Sequence, residues 1–303
     1  MKVSYRIEKL NDLIFTIINT TLMIMLMIVT LYPFLNTIAI SFNQANDTIR
    51  GGIGLWPRVF SLQNYKAIFI TGTLFNAFII SVLRTVLSVV ANIFLTTMLA
   101  YTLSRSEFIF RRIITTIFVL TMYFNAGLLP NYFLIRDLGL INNFWVYVVP
   151  SMVNAFNMIV IRTYIRTIPE SLNESAKMDG AGDFRIFMQI VFPLCTPILA
   201  TISLFVAVGS WNMWFDTFLY ASSKQSLSTL QYELMKLLSS SMAQSNNAMA
   251  SGGGVGLDMA KFMVTPMAIR AAATIVASVP IIIVYPFLQK HFVKGLQLGS
   301  VKE

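Results

Sequence analysis

The chain has 303 residues, of which 56% are hydrophobic and only 12% charged, with a mean hydropathy of +0.70. A soluble domain carries roughly 25% charged residues, so there is too little polar surface here to cover a core in water. Lipid must be the solvent for most of the chain. The formal charge of +9 needs no nucleic acid to explain it, and the single Cys195 excludes an intramolecular disulfide; zinc-ligand spacings are absent.

Stretches of about 20 apolar residues mark membrane spans. In chain order they fall near 13–35, 74–103, 113–130, 144–165, 186–215 and 267–289. The reading is an all-α membrane protein with six transmembrane helices and no soluble domain of any size. The first stretch is longer than the roughly 7–15 residues of a secretory signal core, and "LYPFLNTIAISF" offers no small-residue cleavage site. It is expected to be retained. The third is short, while the second and fifth are long enough to tilt or to project. Residues 1–73 then form an N-terminal helix with an outer loop, 74–290 a five-helix core, and 291–303 a tail. The outer segment 36–73 contains "GGIGLWPRVFSLQNYKAIF". The outer segment 216–266 contains "QYELMKLLSSS", which suits a helix, and the floppy "SNNAMASGGGVG". So long a loop either touches a partner or is a solvated connector.

Cytoplasmic ends of spans keep Lys and Arg. With the N-terminus inside, thirteen basic residues fall on inner segments, Arg105, Arg111, Arg112, Arg162 and Arg166 among them, against seven on the longer outer loops. Both termini are therefore expected in the cytoplasm. All thirteen acidic residues lie in expected loops or at helix ends, so no carboxylate is expected at mid-membrane, and His291 lies beyond the last span. Proton-coupled transport generally needs a titratable group buried in the bundle. Arg84, about ten residues into the second span, must face protein or water, because lipid at that depth costs several kcal/mol. It is either partnered by carbonyls or a neighbouring subunit, or it lines a substrate path. Arg270 near the outer end of the last span reads as a snorkelling anchor.

The polar insert "ESLNESAKMDGAGDFRIFMQIVFPLCTP" interrupts this pattern between the fourth and fifth spans. "PESLNESAKM" suits a short helix: Pro is tolerated in a first turn, acids favour the N-terminal end, and Leu172 and Ala176 share a face. Gly180 and Gly182 permit a sharp change of direction, and Asp183 can cap the next helix. Pro193 and Pro197 each remove a backbone donor and predict a bend, either a hinge or a static kink.

Glu174-Ser175-Ala176, then Gly180, then Ile190, Phe192 and Pro193 keep the spacing of a known pattern: Glu-Ala-Ala, three residues, Gly, nine residues, Ile-x-Leu-Pro. On these residues the chain resembles the inner-membrane permease subunits of ATP-binding-cassette (ABC) importers, with Ser175 and Phe192 as the departures. "AYTLSR", "GLLPNYFLIRDLGLINN", "WNMWF" and the C-terminal "VPIIIVYPFLQKHFVKGLQLGSVKE" resemble the carbohydrate-uptake, MalFG-like branch, in particular the Gram-positive YtcP and LplC type. The resemblance implies a type-1 permease fold with a cytoplasmic coupling helix near 169–182, in a multi-pass protein of a bacterial cell membrane. It further implies a heterodimer with a second homologous permease, a cytoplasmic ABC ATPase dimer, and an extracellular solute-binding lipoprotein that delivers an oligosaccharide. Asp179 belongs with Glu174, Ser175, Ala176, Gly180, Ile190 and Pro193 in the expected ATPase-coupling set. The chain holds no G-x-x-x-x-G-K-[ST], so ATP and Mg would be bound by the partner ATPase, with no cofactor and no catalytic residue here.

Sugar sites combine aromatic platforms with amides and hydroxyls. The candidates are Arg84, Tyr123, Asn125, Asn154, Asn157, Trp211, Asn212 and Trp214. The competing reading is structural, since aromatics at span ends form interfacial belts and buried Asn bonds another helix. Two rival functions stay open: an ion-coupled secondary transporter acting without an ATPase, and a non-transporting scaffold.

Overall fold

The computed structural model describes residues 2–69, 73–250 and 265–300. In chain order the helices are α1 (Lys2–Ser41), α2 (Ala45–Thr48), α3 (Gln63–Phe69), α4 (Thr73–Ser104), α5 (Arg111–Tyr123), α6 (Leu128–Asp137) and α7 (Ala155–Ile165). There follow α8 (Glu170–Met178), α9 (Asp183–Ile186), α10 (Phe192–Leu194), α11 (Thr196–Asn212), α12 (Phe215–Tyr220), α13 (Leu230–Ala250) and α14 (Pro266–Ser300). The isolated antiparallel bridge Asn43–Phe60 stands apart from this helical pattern. The chain divides into two compact units, 1–71 with 237–276, and 72–236 with 277–303.

In the first unit, the most apolar 18 residues of α1 bury nothing, while Ala39, Ile40 and Ser41 at its C-terminal end are buried. A folded loop closes its C-terminal end. The buried Asn43 amide donates to the Asp47 carboxylate (3.0 Å) and the Thr48 hydroxyl (3.1 Å), and its carbonyl oxygen accepts from Val59 N–H (2.9 Å). The Asn43 hydrogen bond, followed by the Arg58 guanidinium at 2.9 Å, holds the Asp47 carboxyl below its ordinary pKa.

The second unit is organised by α4. At 1.5 Å per residue its 32 residues reach about 48 Å, longer than the ~30 Å hydrocarbon layer, as the sequence suggested. Ser81, Arg84, Ser88, Asn92 and Thr96 recur every three or four residues and are all buried, which aligns them on one face. At the other end of α4, Tyr101 and Leu103 join Ile161, Ile165, Phe187, Val191 and Ile202 in the main apolar core.

Three expected spans are not continuous α-helices. The stretch 113–130 stops at Tyr123; Phe124 is extended (φ −113°, ψ 121°) and α6 starts after Gly127 (φ 90°). Pro130 lacks an N–H and is tolerated in a first turn, so it fits a new start better than a continuation. The stretch 144–165 runs as two 3-10 turns, Phe144–Tyr147 and Val149–Ser151, bent by 47° from α7. Pro150 cannot donate the α-helical bond, and Asn154 caps α7 instead, its side chain accepting from Asn157 N–H at 3.0 Å. The stretch 186–215 is bent by 79° between Asp183–Leu194 and α11. Pro193 and Pro197 flank the joint, and a wide π turn over Phe187–Val191 precedes it. Among the described residues, two helices are long and apolar enough to span alone, and up to four if each bent pair counts once.

Unwound backbone inside a membrane is tolerated only where protein or water satisfies it. Here the α4 stripe does so. Ser88 donates to Tyr147 O (3.2 Å), Asn92 to Ser151 O (2.7 Å), and Thr96 to Met152 O (3.4 Å). The hydroxyls and amide of one straight helix complete the backbone of its broken neighbour.

Candidate functional site

The polar insert is built from its glycine outward. Gly180 has φ +78°, a left-handed conformation that costs an L side chain about 1–2 kcal/mol. It sits just past the end of α8. Its N–H donates to Lys177 O (3.0 Å) and the next N–H, Ala181, reaches back to Ala176 O (3.0 Å). That pair of bonds is the Schellman arrangement, which ends a helix and turns the chain back. Gly182 is different: its φ of −71° is open to any residue, and it takes the N-cap position expected of Asp183. Asp183 lies one residue inside α9, where its charge still favours the helix dipole.

Three contacts fasten the insert to the bundle. Ala176 is buried in the main core beside Tyr101, Ile186 and Phe187. Lys177 Nζ bonds both Glu107 oxygens, at 2.8 and 3.0 Å. Arg105 faces Asp183 at 3.8 Å. The Lys177 hydrogen bond is the main reason the Glu107 carboxyl lies below its ordinary pKa. The opposite face of α8 is open. Glu174, Ser175 and Asp179 are exposed, Leu172 is 43% exposed, and Met178 is 88% exposed. Glu174 makes no hydrogen bond or ion pair among the described residues. Ile190 packs against the core from the π turn, and Pro193 is exposed at the start of α10. The expected coupling residues therefore divide: Ala176, Gly180, Ile190 and Pro193 shape the element, while Glu174, Ser175 and Asp179 face outward.

The candidate path residues also divide. Arg84 is 2% exposed. Its guanidinium pairs with the Asp216 carboxylate, donates to Met213 O at 3.0 Å, and lies 4.8 Å over the Tyr147 ring. The positive charge is thus matched inside the protein. Two acidic residues at helix ends are withdrawn from solvent: Asp216 through this pair, and Glu233, which is 7% exposed and bonded to Ser228 and Lys236. Asp216 lies in the first turn of α12, and Glu233 in the first turn of α13, the helix expected for "QYELMKLLSSS".

Asn157 is buried and donates to Asn92 Oδ1 at 3.3 Å. Trp211 is buried, donating from its indole to Ala277 O (3.0 Å), with Phe78 edge-on at 6.0 Å. Tyr123, Asn125, Asn154 and Asn212 are exposed, and Trp214 is half-buried beside Phe215 and Phe218. Asn125 accepts from Gly127 N–H (2.9 Å), and Asn212 accepts from Gln231 (3.2 Å). The sequence reading passed over Ser81, Ser88, Asn92 and Thr96. Their regular recurrence within an apolar span was the available signal.

The geometry is that of helices with broken spans and a short polar helix ended on a glycine. Residues 93–298 match the binding-protein-dependent transport system inner membrane component family, and the chain belongs to it. It is an ABC importer permease subunit, a transport component rather than an enzyme. Two relatives come from Bacillus subtilis (strain 168). The polygalacturonan/rhamnogalacturonan transport system permease protein YtcP is 37% identical over 282 residues, covering 92% of this chain and 95% of its own. Protein LplC is 34% identical over 275 residues, 90% of both chains. A chain from the crystal structure of a bacterial ABC transporter involved in the import of the acidic polysaccharide alginate aligns with a TM-score of 0.82 and 28% identity, over 93% of this chain and 98% of that one.

Proposed function

We propose that α8 is the coupling helix through which a separate ATPase dimer drives this permease, the ATPase holding ATP and Mg. The observation that carries this is the two-sidedness of α8. Ala176 and Lys177 fix its inner face to the core, while Glu174, Leu172 and Met178 stand unpartnered on the outer face. An element fastened to the bundle on one side and open on the other transmits a push. In this reading the chain crosses the membrane six times with both termini cytoplasmic. Residues 74–290 form the transport core, the partner permease is a second homologous subunit, and a binding lipoprotein delivers cargo from outside.

We infer that the cargo is an oligosaccharide carrying acidic sugars. Its support is that two similar proteins are named for polygalacturonan/rhamnogalacturonan and for alginate. Arg84 adds nothing to that support, because Asp216 already neutralises it. The exposed Tyr123, Asn125, Asn154, Asn212 and Trp214 are the stronger candidates for sugar contact. Nothing in the family or the geometry favours an ion-coupled carrier.

The test is Glu174→Lys with Met178→Glu in the reconstituted transporter. Both side chains are exposed, so insertion and assembly of the permease pair should persist. Uptake should fall by about tenfold or more, the loss of an interface hot spot, with ATP hydrolysis no longer stimulated by loaded binding protein. Unchanged uptake would sink the docking role. Competition of uptake by oligogalacturonides against neutral maltooligosaccharides decides the cargo class separately.

A further inference from the structure

Where the polar insert meets the bundle, one buried polar group is left without a partner. Tyr101 lies in the last turn of α4 and is 6% exposed. Its ring packs on Phe187 of the π turn at a centroid distance of 5.5 Å, and the Arg105 guanidinium lies 5.5 Å over it. Ala176 of α8 belongs to the same core. The phenol oxygen is sealed from solvent, yet it makes no hydrogen bond among the described residues. Buried donors normally find an acceptor, and an idle one is costly, so each exception calls for a reason. Four charges stand within electrostatic reach of this hydroxyl: Arg105, Asp183, Lys177 and Glu107. They are the same four that tie the insert to the bundle.

We propose that Tyr101 is a positioning residue for ATP-driven transport: its hydroxyl is idle in the conformation described here and donates to the Asp183 carboxylate when the ATPase displaces the insert. The inference rests on α8 being the coupling helix. Of the two carboxylates in reach, Glu107 already accepts from Lys177 at 2.8 and 3.0 Å. Asp183 meets Arg105 only at 3.8 Å, beyond hydrogen-bond length, and its side chain is 71% exposed. It is the acceptor still open. Asp183 also opens α9, directly after the turn that ends α8, so it moves with the insert while Tyr101 stays with α4. The π turn that follows, a feature frequent at functional sites, supplies the ring of Tyr101 with its neighbour Phe187. An unsatisfied donor raises the energy of one conformation, and a partner gained in the other biases the equilibrium toward it.

The experiment uses the reconstituted transporter with its partner permease, its ATPase and oligogalacturonide-loaded binding protein. Tyr101→Phe removes the oxygen and keeps the ring. Without nucleotide the variant should melt at the wild-type temperature or slightly above it, since no bond is lost. Its stimulated ATP hydrolysis should fall by about fivefold, the population shift that one hydrogen bond supports. Asp183→Ala should give a loss of similar size, and the double variant should be no worse than either single one, because the two residues share one bond. Losses that multiply in the double variant would overturn the inference, and so would unchanged stimulation in Tyr101→Phe. A lowered melting temperature in Tyr101→Phe would overturn it too, by showing that the hydroxyl is already bonded in the nucleotide-free form. Glu174→Lys with Met178→Glu tells the two readings apart. If that variant keeps wild-type stimulation, the coupling role of α8 fails and this inference with it. If it abolishes stimulation while Tyr101→Phe does not, only the role of Tyr101 is lost.

Discussion

Helices α1 and α4 look alike by hydropathy, and each is long enough to cross a membrane alone. Yet none of the apolar window of α1 is buried against the chain, while 28% of that of α4 is. The difference lies in a few polar residues. α4 carries Ser81, Arg84, Ser88, Asn92 and Thr96 on one face, and each has a partner on a neighbouring segment. In lipid, apolar packing alone draws helices together weakly, because the tails are as apolar as Leu; hydrogen bonds and close packing supply the specificity. Hydropathy records what a helix tolerates, and the polar stripe records what it holds.

The sharpest way to break the comparison is at Arg84. Arg84→Met leaves Asp216 buried without its cation, and breaking a buried pair costs about 3–5 kcal/mol. The variant should be retained poorly in membranes and unfold at a clearly lower temperature. Arg84→Met with Asp216→Leu should recover most of the loss, because the two sites share one interaction. A single variant as stable as wild type would show that the pair does not hold α12 to α4.

Next in size is Asn92→Leu, a change that hydropathy alone would favour in a membrane span. It orphans Ser151 O and removes the acceptor of Asn157, a loss of about 1–3 kcal/mol, readable as faster hydrogen exchange in residues 149–157. If exchange there is unchanged, the stripe does not support the broken span.

The Glu107–Lys177 contact should give a smaller, pH-dependent effect. The folded state depresses the Glu107 pKa, so its contribution is complete above the ordinary carboxylate value and fades as pH falls through the lower folded one. Protection from exchange over residues 170–180, relative to the unfolded chain at the same pH, should therefore be flat near neutrality and fall only in acid, and Glu107→Gln should remove the dependence. The smallest effect is expected in α1. Met25→Ala, at a site 66% exposed, should shift stability by no more than about 0.5 kcal/mol. A larger loss would mean a neighbouring subunit covers that face.

How much could be read beforehand follows the same line. The insert was legible because Gly180 needs a left-handed backbone and the prolines of 193–197 predict a bend, both local properties of the chain. The bend and the short helix lie where the residues placed them. The breaks at 124–127 and 152–154 were missed because an apolar run reads as one span whatever its backbone does, although Pro130 and Pro150 carried the clue. The partner of Asp216 was missed because nothing in its neighbours announces Arg84, 132 residues away.

By itself the sequence determined the solvent, the helical class and the short helix of the polar insert. Those depend on transfer free energy and on backbone preferences that each short segment carries alone. Only the tertiary structure decided which spans are broken, which polar groups inside them are satisfied, and whether Arg84 is free or matched. Each of those depends on a partner brought from far along the chain, and a local pattern cannot contain its partner's position.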